Sequence, residues 1–157
     1  MAKYLRSSIL GGVDGVVTSF AIVASASFLE SAHKAATVVG ASSLLADGLS
    51  MGISEYLSVR SEQMLKGDAS YGLAAMGGLA CFASFVACGL LPLAVFVVGD
   101  EALLGASGMA FLVLLLLGCL RAKVTDEFLV WSLVEIGCLG SIATGVAFAV
   151  ASVAASI

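Results

Sequence analysis

The protein is a chain of 157 residues in which 61% of the side chains are apolar and only 11% are charged, with a formal net charge of −4. Soluble domains carry roughly a quarter charged residues, and the mean hydropathy here is +1.12. The composition therefore indicates an integral membrane protein. The net negative charge and the small, scattered polar surface exclude a nucleic-acid-binding role.

Five apolar segments are long enough to cross a bilayer as helices, which requires about 20 residues each. They cover residues 8–29, 36–59, 71–98, 102–120 and 128–156. Only short polar breaks separate these segments, so the sequence predicts one all-α, polytopic transmembrane domain over residues 1–157. The single proline, Pro92, is expected to kink the third span or to mark its end.

The basic residues are distributed unevenly between the two sides of the predicted bundle. With the N-terminus in the cytoplasm, Lys34 is the one basic residue on the opposite side, and six others are cytoplasmic. These six are Lys3, Arg6, Arg60, Lys66, Arg121 and Lys123. Because short loops rich in lysine and arginine stay in the cytoplasm, we expect a cytoplasmic N-terminus and a C-terminus on the opposite side.

Neither the cysteines nor the histidine predict a metal site. The four cysteines fall inside apolar segments and have no zinc-site spacing, so we expect small core residues. They are Cys81, Cys88, Cys119 and Cys138. The single histidine, His33, lies in a polar break, and we expect an exposed loop residue there.

Four acidic residues interrupt the apolar segments: Asp14 in the first, Asp47 and Glu55 in the second, and Glu135 at the start of the fifth. A charge at the centre of a bilayer costs at least about 2.5–3.5 kcal/mol. No lysine or arginine lies deep in any predicted span to neutralise these acids. Such groups persist where they face a bundle interior, hold a proton or meet a cation, so four uncompensated acids predict a cation path.

The second span places three of its polar side chains four residues apart. Asp47, Met51 and Glu55 form one slowly winding stripe on a helix. Asp14, followed by Thr18 one turn later, gives the first span a polar face. If the two faces meet, Asp14, Met51 and one more acid can surround an ion. Carboxylates suit hard cations and thioethers softer ones, so the set predicts a borderline divalent metal, Fe²⁺ first, then Co²⁺, Zn²⁺ or Mn²⁺.

The same carboxylates can carry protons, because removal from water favours the neutral form of an acid. Metal and proton would then compete for one site, which is the physical basis of antiport. Structural interpretations stay open: a methionine in an apolar helix usually packs, Glu55 can reach the interface near Arg60, and Glu135 can itself be interfacial. The glycines beside the acids, including Gly48 and Gly52, favour close helix packing, either within the chain or at a dimer seam.

The stretches "GGVDGVVTSFAIVASA" and "ADGLSMGISEYLSVRSE" together resemble the first two transmembrane helices of the vacuolar iron transporter family, which includes the yeast and plant vacuolar iron and manganese carriers. Five spans is also the count of that family. The resemblance implies a homodimer of five-helix protomers with the metal path at their shared interface. It further implies that Asp14 is the mid-membrane aspartate, Met51 the translocation methionine and Glu55 the glutamate of the second motif. Asp47 is added from the stripe alone.

The chain departs from the plant carriers between its second and third spans. Those carriers have a long cytoplasmic helical domain rich in metal-collecting glutamates, whereas this chain has only "RSEQMLKGDAS". It therefore resembles a short form of the family that lacks the cytoplasmic metal-binding domain. We expect Glu62, Met64 and Asp68 to lie in an ordinary solvated turn rather than in a remnant of that domain.

The predicted function is proton-coupled transport of Fe²⁺ or Mn²⁺ out of the cytosol, across a bacterial inner membrane or an organellar, vacuolar-type membrane, with no resident cofactor. Asp14 and Met51 would bind the ion, while Glu55 and Asp47 would guide its access and exchange protons. Two alternatives stay open: a passive divalent-metal channel, and a non-transporting membrane scaffold whose buried acids pair with a partner. An enzyme is not expected, because the sequence shows neither a nucleophile set nor a phosphate-binding loop.

Overall fold

The computed structural model describes residues 2–67, 71–99, 102–125 and 128–156, and this described backbone contains helices and no strand. Its helices are α1 (Ala2–Ala26), α2 (Ala32–Leu65), α3 (Tyr71–Val98), α4 (Ala102–Thr125) and α5 (Leu129–Ala155). Each of these five is long and apolar enough to cross a membrane. The predicted all-α fold with five transmembrane helices is confirmed.

The helices extend beyond the apolar segments at their polar ends. α1 begins at Ala2 rather than at residue 8, α2 continues to Leu65 rather than 59, and α4 continues to Thr125 rather than 120. Apolarity marks the part of a helix that lies in lipid, but the backbone hydrogen bonds that continue the helix do not require apolar side chains. Long basic side chains near such ends reach the membrane surface.

Two expectations, one about a polar break and one about the proline, change in the structure. Glu62 and Met64 lie on the last turns of α2 rather than in a connecting turn, while Asp68 is outside the described residues. Pro92 lies inside α3, which continues to Val98, so it does not end the helix. The proline ring is buried against neighbouring helices.

Glycine contacts fix how the first three helices pack. A Cβ atom placed on Gly11 or Gly15 of α1 would lie 2.2 Å from the carbonyl oxygen of Cys81 or Phe85 in α3. α2 packs on α3 through Gly52, where a Cβ would lie 2.9 Å from the carbonyl oxygen of Gly78, and through Gly48, which faces the Phe85 side chain. Small residues allow helix backbones this close in a membrane, so these glycines serve packing within the chain.

The remaining helices complete an up-and-down bundle. α4 packs against α1 and α3, and α5 packs against α4 and α1. Consecutive helices run in opposite directions, so the starts of α1, α3 and α5 share one end with the ends of α2 and α4. This end, called the basic end below, carries Arg6, Arg60, Lys66, Arg121 and Lys123.

Two buried apolar clusters hold the helices together. One joins α1, α2 and α3 around Val23, Leu44 and Phe85, and the other joins α1, α4 and α5 around Val16 and Leu114. Many other large apolar side chains are exposed on the outer surface, as expected for a bundle whose solvent is lipid.

The cysteines and the histidine depart in part from their predicted places. All four thiols are free; Cys81 is buried as expected, but Cys138 is exposed because α5 packs against the bundle on one side only. His33 is exposed as expected, yet it lies in the first turn of α2 rather than in a loop. Its ring stacks on that of Phe96, with 5.4 Å between centroids.

Candidate metal path

Two adjoining cavities on the outer face of α1 and α2 contain three of the four predicted site residues. A cavity of about 450 Å³ is lined by Asp14 and Met51. A second, of about 510 Å³, is lined by Asp47, and Val17 lines both. We call these two cavities, with Asp14, Asp47 and Met51 in their walls, the acidic groove.

Helix geometry explains why Asp14 lies on this open face. α1 turns Gly11 and Gly15 toward α3, and at about 100° per residue Asp14 points about 80° away from the middle of that contact. The carboxylate is consequently exposed on the surface of the protomer. It shares the acidic groove with Asp47 of α2.

The same geometry separates the three members of the α2 stripe. Relative to the contact that Gly48 and Gly52 make with α3, Asp47 points away by about 120°, Met51 by about 80° and Glu55 by about 40°. Their burial follows this order, since Asp47 is exposed, Met51 is half-buried and Glu55 is buried. The stripe therefore winds from the open groove into the protomer.

Glu55 accordingly lies apart from the other three predicted residues. Its side chain is only 9% exposed, and Ser7 of α1 donates a hydrogen bond of 2.6 Å to its Oε1. It lines a different cavity at the basic end, together with Gln63. One helical stripe thus contributes to two separate places in the structure.

Glu135 corrects the prediction that all four membrane acids lack a counter-charge. Arg121, near the end of α4, donates a hydrogen bond of 2.7 Å from Nη1 to Glu135 Oε2. The two side chains are 25% and 43% exposed. The pair forms because α4 and α5 run antiparallel, so residues 14 positions apart in sequence become neighbours at the basic end.

Two uncharged polar side chains also lie in the groove, one of them Thr18, which the sequence places on the same face as Asp14. Thr18 from α1 and Ser43 from α2 line the same cavity as Asp47. Among the described residues, however, no three His, Cys, Asp or Glu side chains are placed to hold a metal ion together. Metal ligation by Asp14, Asp47 and Met51 therefore stays a prediction.

A family model described as the VIT family matches residues 5–71 and 67–152. The chain belongs to the VIT family. Over 62 residues it is 42% identical to a protein of Toxoplasma gondii (strain ATCC 50861 / VEG) named vacuolar iron transporter. That match covers 40% of the chain and only 20% of the Toxoplasma protein, and no solved structure matches the chain.

Membership of the VIT family confirms the resemblance found in the first two helices and, with the five apolar helices, makes this an integral membrane protein. Sequence reasoning nevertheless missed three residues of this VIT-family chain. Arg121 lines the cavity that holds Asp14 and Met51, and Ser7 and Gln63 accompany Glu55. For Arg121 the sequence contains one signal, a charge opposite to that of Glu135 across the short break between α4 and α5. For Ser7 and Gln63 it contains none.

Proposed function

We propose that this protein is a proton-coupled transporter that moves Fe²⁺ or Mn²⁺ out of the cytosol. It acts as a homodimer, with the metal path between the acidic grooves of two protomers and the basic end in the cytoplasm. Membership of the VIT family and the name of the Toxoplasma relative support metal transport in general. The arrangement of the groove supports the finer proposal.

The observation that carries the proposal is the exposure of two carboxylates on a membrane surface that is mostly apolar. Asp14 and Asp47 are both exposed, while the groove around them is lined largely by apolar residues such as Val17 and Ile22. Facing lipid, each ionised carboxylate would cost at least about 2.5–3.5 kcal/mol. A second copy of the chain would separate the carboxylates from lipid, and a metal ion held between the two grooves would offset their charge.

The acidic groove of one protomer offers only the carboxylates of Asp14 and Asp47 and the thioether of Met51, and the described residues contain no cluster of three His, Cys, Asp or Glu around an ion. Two facing grooves would contribute four carboxylates from Asp14 and Asp47 and two thioethers from Met51. Oxygen ligands suit Mn²⁺ and Fe²⁺, and a polarisable sulfur favours the softer of the two. This mixed set supports transport of a borderline divalent metal.

Proton exchange follows from the same carboxylates. When the metal leaves, four neighbouring acids repel one another in a poorly hydrated place, which favours protonation. Arg121 lines the cavity beside Asp14, but its guanidinium group already pairs with Glu135. Protons taken up from the far side would then be released on the cytoplasmic side when the next metal ion binds. Asp14 and Asp47 thus carry either protons or metal, and exchange of one for the other couples the two flows.

Two alternatives make different predictions. A passive channel would conduct the metal without regard to a pH gradient. A scaffold would hold the acids of the groove against basic residues of another protein and would move no metal at all.

The test is metal uptake into proteoliposomes holding the purified full chain, with and without an imposed pH gradient. We expect gradient-driven Fe²⁺ uptake that Asp14→Asn reduces by two orders of magnitude or more. Glu30→Gln is the matched control, because this exposed acid lies outside the linings of both cavities, and it should transport like the unaltered protein. Uptake that ignores the gradient would replace the exchanger with a channel, and absence of uptake by folded protein would refute transport.

A further inference from the structure

A third cavity, of about 270 Å³, lies at the basic end inside a single protomer. Its polar lining comes from Glu55, Glu62 and Gln63 of α2, with Arg6 of α1 and Lys66 at its rim. It shares no residue with the two cavities of the acidic groove. We call it the basic-end cavity.

Gln63 gives this cavity an unusual property. The side chain is 7% exposed, and among the described residues neither its Nε2 nor its Oε1 has a hydrogen-bond partner. A buried amide without partners costs about 1–3 kcal/mol, so such groups are almost always paired. An unpaired amide lining a polar cavity indicates that a bound species completes its interactions.

The fixed and movable parts of the lining differ in charge. Glu55 and Gln63 are both more than nine-tenths buried, so a carboxylate and an amide, each with an oxygen atom that can face a cation, form the inner wall. Ser7 hydrogen-bonds Glu55 but, being neutral, supplies no counter-charge.

The basic groups, in contrast, lie at the rim. Arg6 is exposed, and the side chain of Lys66 is 68% exposed where it pairs with Glu62. Exposed lysine pairs of this kind are weak, so the ammonium group can leave when another cation arrives.

We propose that the basic-end cavity binds a hydrated divalent cation between Glu55, Glu62 and the amide oxygen of Gln63, with Lys66 as a tethered competitor. Six waters at roughly 30 Å³ each occupy about 180 Å³, so the cavity accommodates an ion with its first hydration shell. Its role as a loading site for transport rests on the proposed function, whereas the binding itself does not.

The lining also predicts which cations bind. It contains oxygen ligands and no sulfur, and such sets do not distinguish Mg²⁺ from Mn²⁺ or Fe²⁺ by softness. The acidic groove includes the thioether of Met51 and does distinguish these cations by softness. The cavity should therefore accept Mg²⁺ in competition with Mn²⁺.

The experiment measures free Mn²⁺ by electron paramagnetic resonance during titration of the detergent-solubilised full chain. Asp14→Asn, Asp47→Asn and Met51→Ala together remove the groove ligands from the background. Gln63→Leu then tests the cavity, since it keeps the volume and removes a buried unpaired amide and so should not impair folding. Met64→Leu is the matched control on the adjacent, exposed residue.

We expect Gln63→Leu to weaken Mn²⁺ binding by about tenfold, the low end of the range for altering groups around a metal. Met64→Leu should leave it unchanged, Lys66→Gln should strengthen it roughly twofold, and Mg²⁺ should displace the ion.

Unchanged affinity in Gln63→Leu, or no Mn²⁺ binding in the background protein because water alone fills the cavity, would overturn this site. The proteoliposome comparison of Asp14→Asn decides the transport proposal separately. The two proposals can therefore fail independently.

Discussion

The contact between α1 and α3 makes Gly15→Ala the most direct test of the packing. A Cβ at Gly15 would lie 2.2 Å from the carbonyl oxygen of Phe85 and 2.9 Å from its carbonyl carbon. Both are backbone atoms, so no side-chain rotation relieves the clash. The two helices must instead separate by about 1 Å to restore an ordinary van der Waals distance.

The size of the effect follows from two opposing terms. Overpacking a core costs typically about 1–3 kcal/mol, and the rigid obstacle places Gly15→Ala near about 3 kcal/mol. Alanine regains about 1 kcal/mol over glycine in the interior of a helix. The free energy of unfolding should fall by about 2 kcal/mol, which is roughly a 30-fold change in the folded-to-unfolded ratio.

Reversible unfolding in mixed micelles of increasing dodecyl sulfate content, followed by circular dichroism, measures this change. Gly108→Ala is the matched control, because a Cβ at Gly108 would have nothing within 4 Å. It should raise the free energy of unfolding by up to about 1 kcal/mol. If Gly15→Ala proves as stable as Gly108→Ala, the close approach of α1 and α3 is wrong.

Three further predictions concern individual side chains. Met51→Ala should reduce the preference for Fe²⁺ over Mn²⁺ in competition uptake more than it reduces proton movement, and equal losses of both would assign the thioether to packing alone. Removing either partner of the Arg121–Glu135 pair should lower the free energy of unfolding. Because both side chains are partly exposed, a double-mutant cycle should give a coupling energy of about 0.2–1 kcal/mol. A coupling energy of zero would refute the pair. Ser7→Ala should lower the free energy of unfolding by about 1.5–3 kcal/mol, since it removes the buried hydrogen bond to the Glu55 carboxylate. Ser8→Ala is the control and should change the free energy of unfolding little, because the bond to Glu55 comes from Ser7.

The sequence alone was sufficient for the elements of the fold. Apolar stretches of spanning length in a chain with 11% charged residues admit only helices, because unpaired backbone groups are too costly in lipid. The spacing of Asp47, Met51 and Glu55 likewise fixed their relative directions, since side chains on one helix are related by its constant angle per residue. The family could be identified from two motifs because each combines acids with glycines at defined positions.

The tertiary structure alone decided which of these directions is open and which is covered. In a soluble protein a polar stripe marks the solvent side of a helix, but helices surrounded by lipid are apolar all round and carry no such marker. The sequence therefore placed Asp47 and Glu55 in one site, whereas packing on α3 leaves Asp47 in the acidic groove and buries Glu55 beside Ser7. The pairing of Arg121 with Glu135 and the unpartnered amide of Gln63 depend in the same way on neighbouring helices, which no local pattern specifies.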